Sequence, residues 1–217
     1  MKKIITGKNL NGKSIPGLRL GILTGFSAFF SCFLWGCSPV KLPDISTYKL
    51  ASVPAFTAQN YSKRNATLYV AMLGANPGYQ TADMLYMATP YKLSAFALHQ
   101  WIAPPAQMIQ PIVIQAIRSK GYFKAVLSMP SSSNVDYRLE LQLLELQQEF
   151  LTSNSKIRMS VQATLINNTT NEVLASHRFS ELLPTAGNTP YAGVLSANMA
   201  ITHISTKIAA FCISHLK

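Results

Sequence analysis

The residues of this chain that could do chemistry are few and scattered. Four histidines are present, His99, His177, His203 and His215. A metal site needs imidazole, thiolate or carboxylate ligands at short fixed spacings, and none of these histidines has a second ligand so placed. His177 falls on the apolar side of a strand pattern, where a core histidine is the expectation. Glu140 and Glu145 lie five apart on one predicted strand with a change of phase between them. They are expected on the solvent side, where nothing shifts their proton affinity toward acid–base work. No serine stands in a Gly-X-Ser-X-Gly elbow, and there is no glycine-rich phosphate loop. The chain therefore reads as not an enzyme, with no catalytic residue, no metal and no cofactor. One nucleophile does have a prepared setting. Cys37 closes the uncharged run from Leu20, LGILTGFSAFFSCFLWGC, and the small residue Gly36 precedes it.

Ahead of that run stand Lys2, Lys3, Lys8, Lys13 and Arg19. A basic head, an apolar run and a small residue before a cut site are the parts of a secretory signal. The sequence Leu34, Trp35, Gly36, Cys37 resembles the lipobox of bacterial lipoproteins. The resemblance implies cleavage between Gly36 and Cys37, and lipid attachment at Cys37, including a palmitate-type acyl chain. Only a thiol is nucleophilic enough to take the diacylglyceryl group. Residues 1–36 are then a lipoprotein signal peptide. The alternatives are an uncleaved anchor, since the uncharged stretch to Val40 is about long enough to span a bilayer, or a buried helix. In the first two cases the basic head stays inside and the body faces the periplasm. Ser38 after the cysteine, rather than Asp, implies by resemblance to lipoprotein sorting the outer membrane of a Gram-negative cell.

Five of the 19 Lys and Arg residues belong to this head, which leaves 14 against all 8 acidic residues in the body. That modest positive balance suits a surface near anionic lipid and equally an ordinary solvated one. No dense basic cluster with interleaved aromatics occurs, so nucleic acid is not an expected partner. With Cys32 in the signal and Cys37 acylated, Cys212 has no disulfide partner. It sits in an apolar helical pattern and reads as a buried small hydrophobe.

The body must be built by the remaining residues, about one domain's worth. Residues 37–65 read as a lipidated N-terminus and flexible tether, broken by Pro39, Pro43 and Pro54. Within it Tyr48, Lys49 and Leu50 could form a short strand. Residues 66–217 read as the folded domain. Strands are expected at Thr67 to Leu73, Asp83 to Ala88 and Leu93 to Leu98, with a loop around Gly74 to Gly78. A helix follows Pro104 and Pro105 and ends at Gly121, with Pro111 causing a kink or a later start. Tyr122 to Leu127 is a strand, and Pro130 to Asn134 a loop. Asp136 to Phe150 alternates through Leu139, Leu141 and Leu143, then slips phase, which predicts a bulge near Leu143. Lys156 to Ile166 alternates cleanly, and Asn167 to Asn171 turns into a strand carrying Val173, Ala175, His177 and Phe179 inward. The clean alternation argues for antiparallel pairing with one wet face. Pro190 to Leu216 is a last helix. Its second face, Asn198, Thr202, Ser205 and Thr206, is nearly chargeless, so either both faces are covered or one packs on another copy. The fold class is an α/β (α+β) sandwich, with a mixed, largely antiparallel sheet and two main helices, the last one C-terminal.

One stretch bunches aromatics and prolines: Tyr86, Tyr91, Trp101, Pro104 and Pro105. These are candidate partner-contact residues, or else structural ones, with Trp101 filling the core beneath the helix start. In order and spacing the chain resembles the auxiliary lipoproteins of ABC-type transport systems. The resemblance runs from the lipobox through Tyr48-Lys49-Leu50, Leu68-Tyr69-Val70 and the Tyr86 region to Trp101 with Pro104 and Pro105. It continues through Gly121, Phe123 and Val126, then Asp136, Tyr137 and Leu139, to the closing amphipathic helix; Pro111 and the loop Gly74 to Gln80 depart from it. This implies a lipid-anchored accessory component of an MCE-type intermembrane phospholipid transport system, acting by scaffolding and docking. The implied partners are an MCE-domain protein, the inner-membrane transport complex behind it, the membrane through Cys37, and further copies of the chain. A lipoprotein regulator or assembly factor of another envelope complex, such as a cell-wall synthase activator or secretion-system lipoprotein, is the alternative.

Overall fold

The computed structural model describes residues 43–52, 54–58, 61–128 and 135–216. The apolar run, Cys37 and the loop expected at Pro130 to Asn134 lie outside the described residues. In chain order the elements are β1 (Ser46–Tyr48), β2 (Arg64–Val70), β3 (Gly74–Ala75), β4 (Asp83–Thr89), β5 (Lys92–Trp101) and α1 (Pro105–Ser119). Then come β6 (Phe123–Leu127), β7 (Tyr137–Glu149), β8 (Lys156–Asn167), β9 (Val173–Pro184) and α2 (Pro190–Ser214).

Strand β7 is the axis of a mixed nine-stranded sheet. One of its edges is taken by β8 along its whole length, antiparallel, and β8 pairs in turn with β9. The other edge is shared in succession by three parallel strands. Leu68 to Val70 of β2 lie beside Tyr137 to Leu139, Gly74 and Ala75 of β3 beside Gln142 and Leu143, and Tyr86 and Met87 of β4 beside Gln148 and Glu149. β6 extends β2 in parallel, while β5 and then β1 extend β4. The antiparallel ladders are the long ones, as the alternation in Lys156 to Ile166 requires.

The phase slip in β7 is a register shift between Leu143 and Glu145. It keeps Leu139, Leu141 and Leu143 in the core before the slip and Leu146 after it. A strand without the extra residue would turn one of those sets toward water. Opposite them Ile157, Met159, Val161, Ala163 and Leu165 of β8 are all buried. Both helices cover this face and pack against each other. α1 contributes Ile109, Ile112, Val113, Ala116 and Ile117, and α2 contributes Ala197, Ile201, Ile204, Ile208 and Cys212.

Helix ends follow local chemistry. Pro105 opens α1, where a missing N–H costs nothing, and Gly121 at φ +66 closes it. Pro111 does not delay the helix, which includes it on an exposed turn. Thr189 caps α2 by accepting a hydrogen bond from the Ala192 N–H at 3.2 Å. The uncharged second face of α2 is largely covered by the chain itself. Thr202 and Ser205 are buried, and Asn198 accepts from the Ala51 N–H at 2.8 Å.

Two readings need adjustment. β2 begins at Arg64 and ends at Val70, three residues earlier than expected at each end, because the chain after Val70 bends to place β3 on β7. On β9 only Phe179 is buried of the four residues expected inward. His177 is exposed, with its ring 4.7 Å from Phe179 and 6.4 Å from Phe211, not a hydrogen-bonded core residue. Among the described residues β9 has a sheet neighbour on one side only, so a regular alternation gives full burial only where α2 lies directly over it. Within the span read as a tether, a short strand does join the sheet, but at Ser46–Tyr48, two residues earlier than the Tyr48 to Leu50 expected; Leu50 is buried beyond it.

Candidate functional site

The five candidate contact residues separate in the structure. Trp101, at the end of β5, is 3% exposed and belongs to the core. Its backbone N–H donates to the Ala82 carbonyl at 2.8 Å, which ties β5 to the entry of β4. Pro104 is the residue before α1, extended at φ −49 and ψ 130, and Pro105 is buried as the first helical residue. These three place α1 on the sheet. Tyr86 and Tyr91 differ from them. Tyr91 forms the β4–β5 turn, is fully exposed and has φ +66. Tyr86 is half-buried in a run of rings along the edge of the helix-covered face. Its centroid lies 4.6 Å from Phe96 and 6.0 Å from Phe150. Phe96 is 6.2 Å from His99, which stacks on Tyr48 at 5.9 Å, and Tyr48 meets Tyr191 of α2 at 6.0 Å. The Tyr48 hydroxyl and His99 Nδ1 are 3.2 Å apart.

The opposite face of the sheet, which neither described helix covers, gathers charges that look scattered in sequence. Glu145 accepts from Arg178 Nη2 at 2.7 Å and from Ser160 Oγ at 2.9 Å, and Ser160 Oγ lies 2.9 Å from Ser180 Oγ. One row further, Glu149 takes a forked pair from Arg158, Nε at 2.6 Å and Nη2 at 3.2 Å, and a third bond from Gln147 Nε2 at 3.2 Å. Burial alone would raise the Glu149 pKa, but the Arg158 and Gln147 hydrogen bonds outweigh it and hold the carboxyl below its ordinary value. The Tyr79 hydroxyl, from the loop after β3, bonds to Gln147 Oε1 and closes this row. Burial first, then the carboxylates of Glu145 and Glu149, raises the Tyr79 pKa. Sequence reasoning found Glu140 and Glu145 on the wet face but missed this network. Its partners come from three strands and a loop, and only the register that follows the bulge aligns them.

At the far end of β7 the edge between β2 and β6 is basic. Lys63, Arg64, Asn65 and Lys124 line an open depression, and both Arg64 Nη atoms lie 3.5 Å from tyrosine hydroxyls, of Tyr122 and Tyr137. Beside it Asp136 accepts from the Thr67 N–H at 2.7 Å and from its hydroxyl at 2.8 Å, and these bonds lower its pKa.

Among the described residues no group of three or more His, Cys, Asp and Glu gathers as a metal would require. None of the described helices is long and apolar enough to cross a membrane. The described features are a paired-charge sheet face, an aromatic end and a basic end. They define a two-layer α+β body whose distinctive chemistry lies on its surfaces.

The family model of the ABC-type transport auxiliary lipoprotein component matches residues 48–209, from β1 into the last turns of α2. The chain belongs to this family. Its fold is similar to that of protein XCC0632 from Xanthomonas campestris, at TM-score 0.69 and 18% identity, covering 78% of this chain and 96% of that one. It is also similar to a solved uncharacterized protein at TM-score 0.63 and 14% identity, covering 78% and 99%. No curated protein matches the chain. The family is one of membrane-anchored envelope lipoproteins, which agrees with a lipobox-like cysteine upstream of the matched region.

Proposed function

We propose that this chain is the lipid-anchored accessory component of an MCE-type intermembrane phospholipid transport system, held at the outer membrane by Cys37 and facing the periplasm. The observation that carries the reading is the family match across residues 48–209, downstream of Cys37 in its lipobox-like sequence. The role is scaffolding: the acyl chains hold one end of the body, and the body docks the MCE-domain protein that leads to the inner-membrane complex. The sheet face away from the two described helices suits docking. Its Glu145–Arg178 and Glu149–Arg158 pairs are partly exposed and held in fixed register, so they select a partner by charge pattern more than by raw affinity. Self-association is part of the proposal, with the exposed Leu195 and Met199 of α2 as its apolar contribution.

The test is a crosslinked pull-down of the tagged chain from its own membranes, read by mass spectrometry, beside Cys37→Ala. Recovery of an MCE-domain protein with the parent and not with Cys37→Ala supports the reading. Recovery of a cell-wall synthase or a secretion pore would replace it with the regulator role. Crosslinking that yields only monomer in membranes would remove self-association.

A further inference from the structure

The two ends of the body differ, and β1, followed backward, heads toward one of them. β1 is parallel to β5, with Ser46 opposite His99 and Tyr48 opposite Trp101. Followed backward from Ser46, β1 therefore points toward the start of β5, which is the β4–β5 turn. That turn lies beyond the end of β7, because Met87 already pairs with Glu149 and the chain continues to Tyr91. The turn after β7 carries Leu151 at the same end, 43% exposed. The cap of α2 is tied near the end of β7, since Gln148 Nε2 donates to the Thr189 carbonyl at 3.2 Å, while Tyr191 turns back to the Tyr48 ring beside the last residues of β5. Lys63, Arg64 and Lys124 lie at the opposite end, beside the starts of β2 and β6.

Tyr91 is the anomalous member of this group. It is fully exposed, and φ +66 is a conformation in which glycine is at home and a bulky side chain is strained. The strain has no packing contact to offset it, so a use outside the fold is the physical question it raises. Tyr91 is followed by Lys92 and the exposed Leu93. Tyrosine with flanking lysine and leucine is the chemistry of a bilayer interface, where an apolar ring enters and a polar tip and a cation stay at the headgroups.

Covalent reach supplies the occupant. From Cys37 to Pro43 are six residues, and each spans at most 3.3–3.6 Å, so the lipidated thiol can lie no further than about 20 Å from Pro43. A leash that short cannot carry the body far from the lipid surface, and from β1, which pairs with the last three residues of β5, it sets out in the direction of the Tyr91 turn. We infer that the end formed by Tyr91, Leu93 and Leu151 rests on the bilayer surface, with the basic end turned away from that membrane. This rests on the reading of Cys37 as the lipidated residue.

The experiment uses the full-length lipidated chain in phosphatidylethanolamine–phosphatidylglycerol vesicles that carry a nitroxide-labelled phospholipid. Single cysteines are introduced as Tyr91→Cys, Leu151→Cys and, at the basic end, Asn65→Cys, and each is labelled with an environment-sensitive fluorophore. Cys212 is buried and does not compete for label. The expected result is a blue shift and at least twofold quenching by the nitroxide lipid at positions 91 and 151, with neither at position 65. Vesicle flotation of the parent and of Cys37→Ala is measured beside it. Flotation that depends on Cys37, with position 91 quenched no more than position 65, would overturn the bilayer contact alone and point to a protein partner or a second copy on this end. Flotation of Cys37→Ala as complete as that of the parent would overturn the anchor reading and the reach argument with it.

Discussion

Gln148 of β7 and Gly193 of α2 meet side chain to backbone. A Cβ added at Gly193 would stand 2.9 Å from the Gln148 amide carbon and closer still to its Oε1. Gln148 is 2% exposed, and its Nε2 donates to Ser155 Oγ at 2.9 Å and to the Thr189 carbonyl at 3.2 Å. Oε1 finds no protein donor among the described residues. One buried amide therefore holds together the end of β7, the start of β8 and the cap of α2, and glycine is what lets the helix come close enough.

Gly193→Ala tests that contact. Helix propensity favours alanine by about 1 kcal/mol. Overpacking costs about 1–3 kcal/mol, and each displaced hydrogen bond about 1 kcal/mol more. The clash wins, and chemical denaturation should show a loss of roughly 1–3 kcal/mol. Gly193→Ala combined with Gln148→Ala should be less destabilised than the sum of the two single changes. Strict additivity would place the clash elsewhere.

Trp101→Ala and Tyr91→Ala should divide the aromatic stretch into its two parts. The first empties a core position and should cost about 3–5 kcal/mol. The second removes nothing the fold packs against and should stay within about 0.5 kcal/mol. Tyr91→Gly should raise the melting temperature slightly, because it relieves the positive φ. A fall of several degrees would mean that the ring supports the turn in a way its exposure does not reveal.

The acid limb of stability should depend on Glu149 and Asp136. Both carboxyls titrate below their ordinary values of 4.5 and 3.8 in the folded chain. Their contribution is complete above the ordinary carboxylate range and is lost as pH falls through the depressed values. Melting temperature plotted against pH should therefore drop below about pH 4.5 in the parent. Glu149→Gln should start lower at neutral pH and fall less steeply. A parallel curve for the variant would contradict the Arg158 pairing as its source.

Cys212 should be inert. Burial pushes its thiol up to about 12 from 9.0, so the nucleophilic thiolate is nearly absent at neutral pH. Thiol reagents should modify it only as fast as the chain opens, and denaturant should accelerate the reaction in step with unfolding. Because the folded pKa lies above the unfolded one, this group's contribution is complete below about pH 9 and declines above it. Rapid modification of the native protein would show that α2 is not closed over the thiol.

Much of the fold is legible in the sequence where the burial is regular. Ile157 to Leu165 on β8 alternate because one face meets both helices, and the slip after Leu143 marks the bulge. The misread parts are those where the sheet is incomplete. His177 follows a core pattern on an edge strand, and β3 is two residues long, too short for any periodicity. Tyr86 and Trp101 show the same limit from the side of the site. Both belong to one aromatic stretch, but only the register of β4 and β5 decides that Trp101 is core while Tyr86 stays half-exposed. The Glu145–Arg178 and Glu149–Arg158 pairs join residues 33 and 9 apart through that same register, and no local spacing announces them.

The shared edge of β7 also sets an order of assembly. β2, β3 and β4 each lean on a strand that follows them by dozens of residues, whereas β7, β8 and β9 are joined by short turns. Loop closure across such distances is slow, so the three-strand meander should condense first and recruit the earlier strands afterward. A chain delivered from its N-terminus must then hold β2, β3 and the β7-facing edge of β4 open until the end of β9, Pro184, has appeared. That waiting interval is when unpaired strands are most exposed to aggregation and to chaperones.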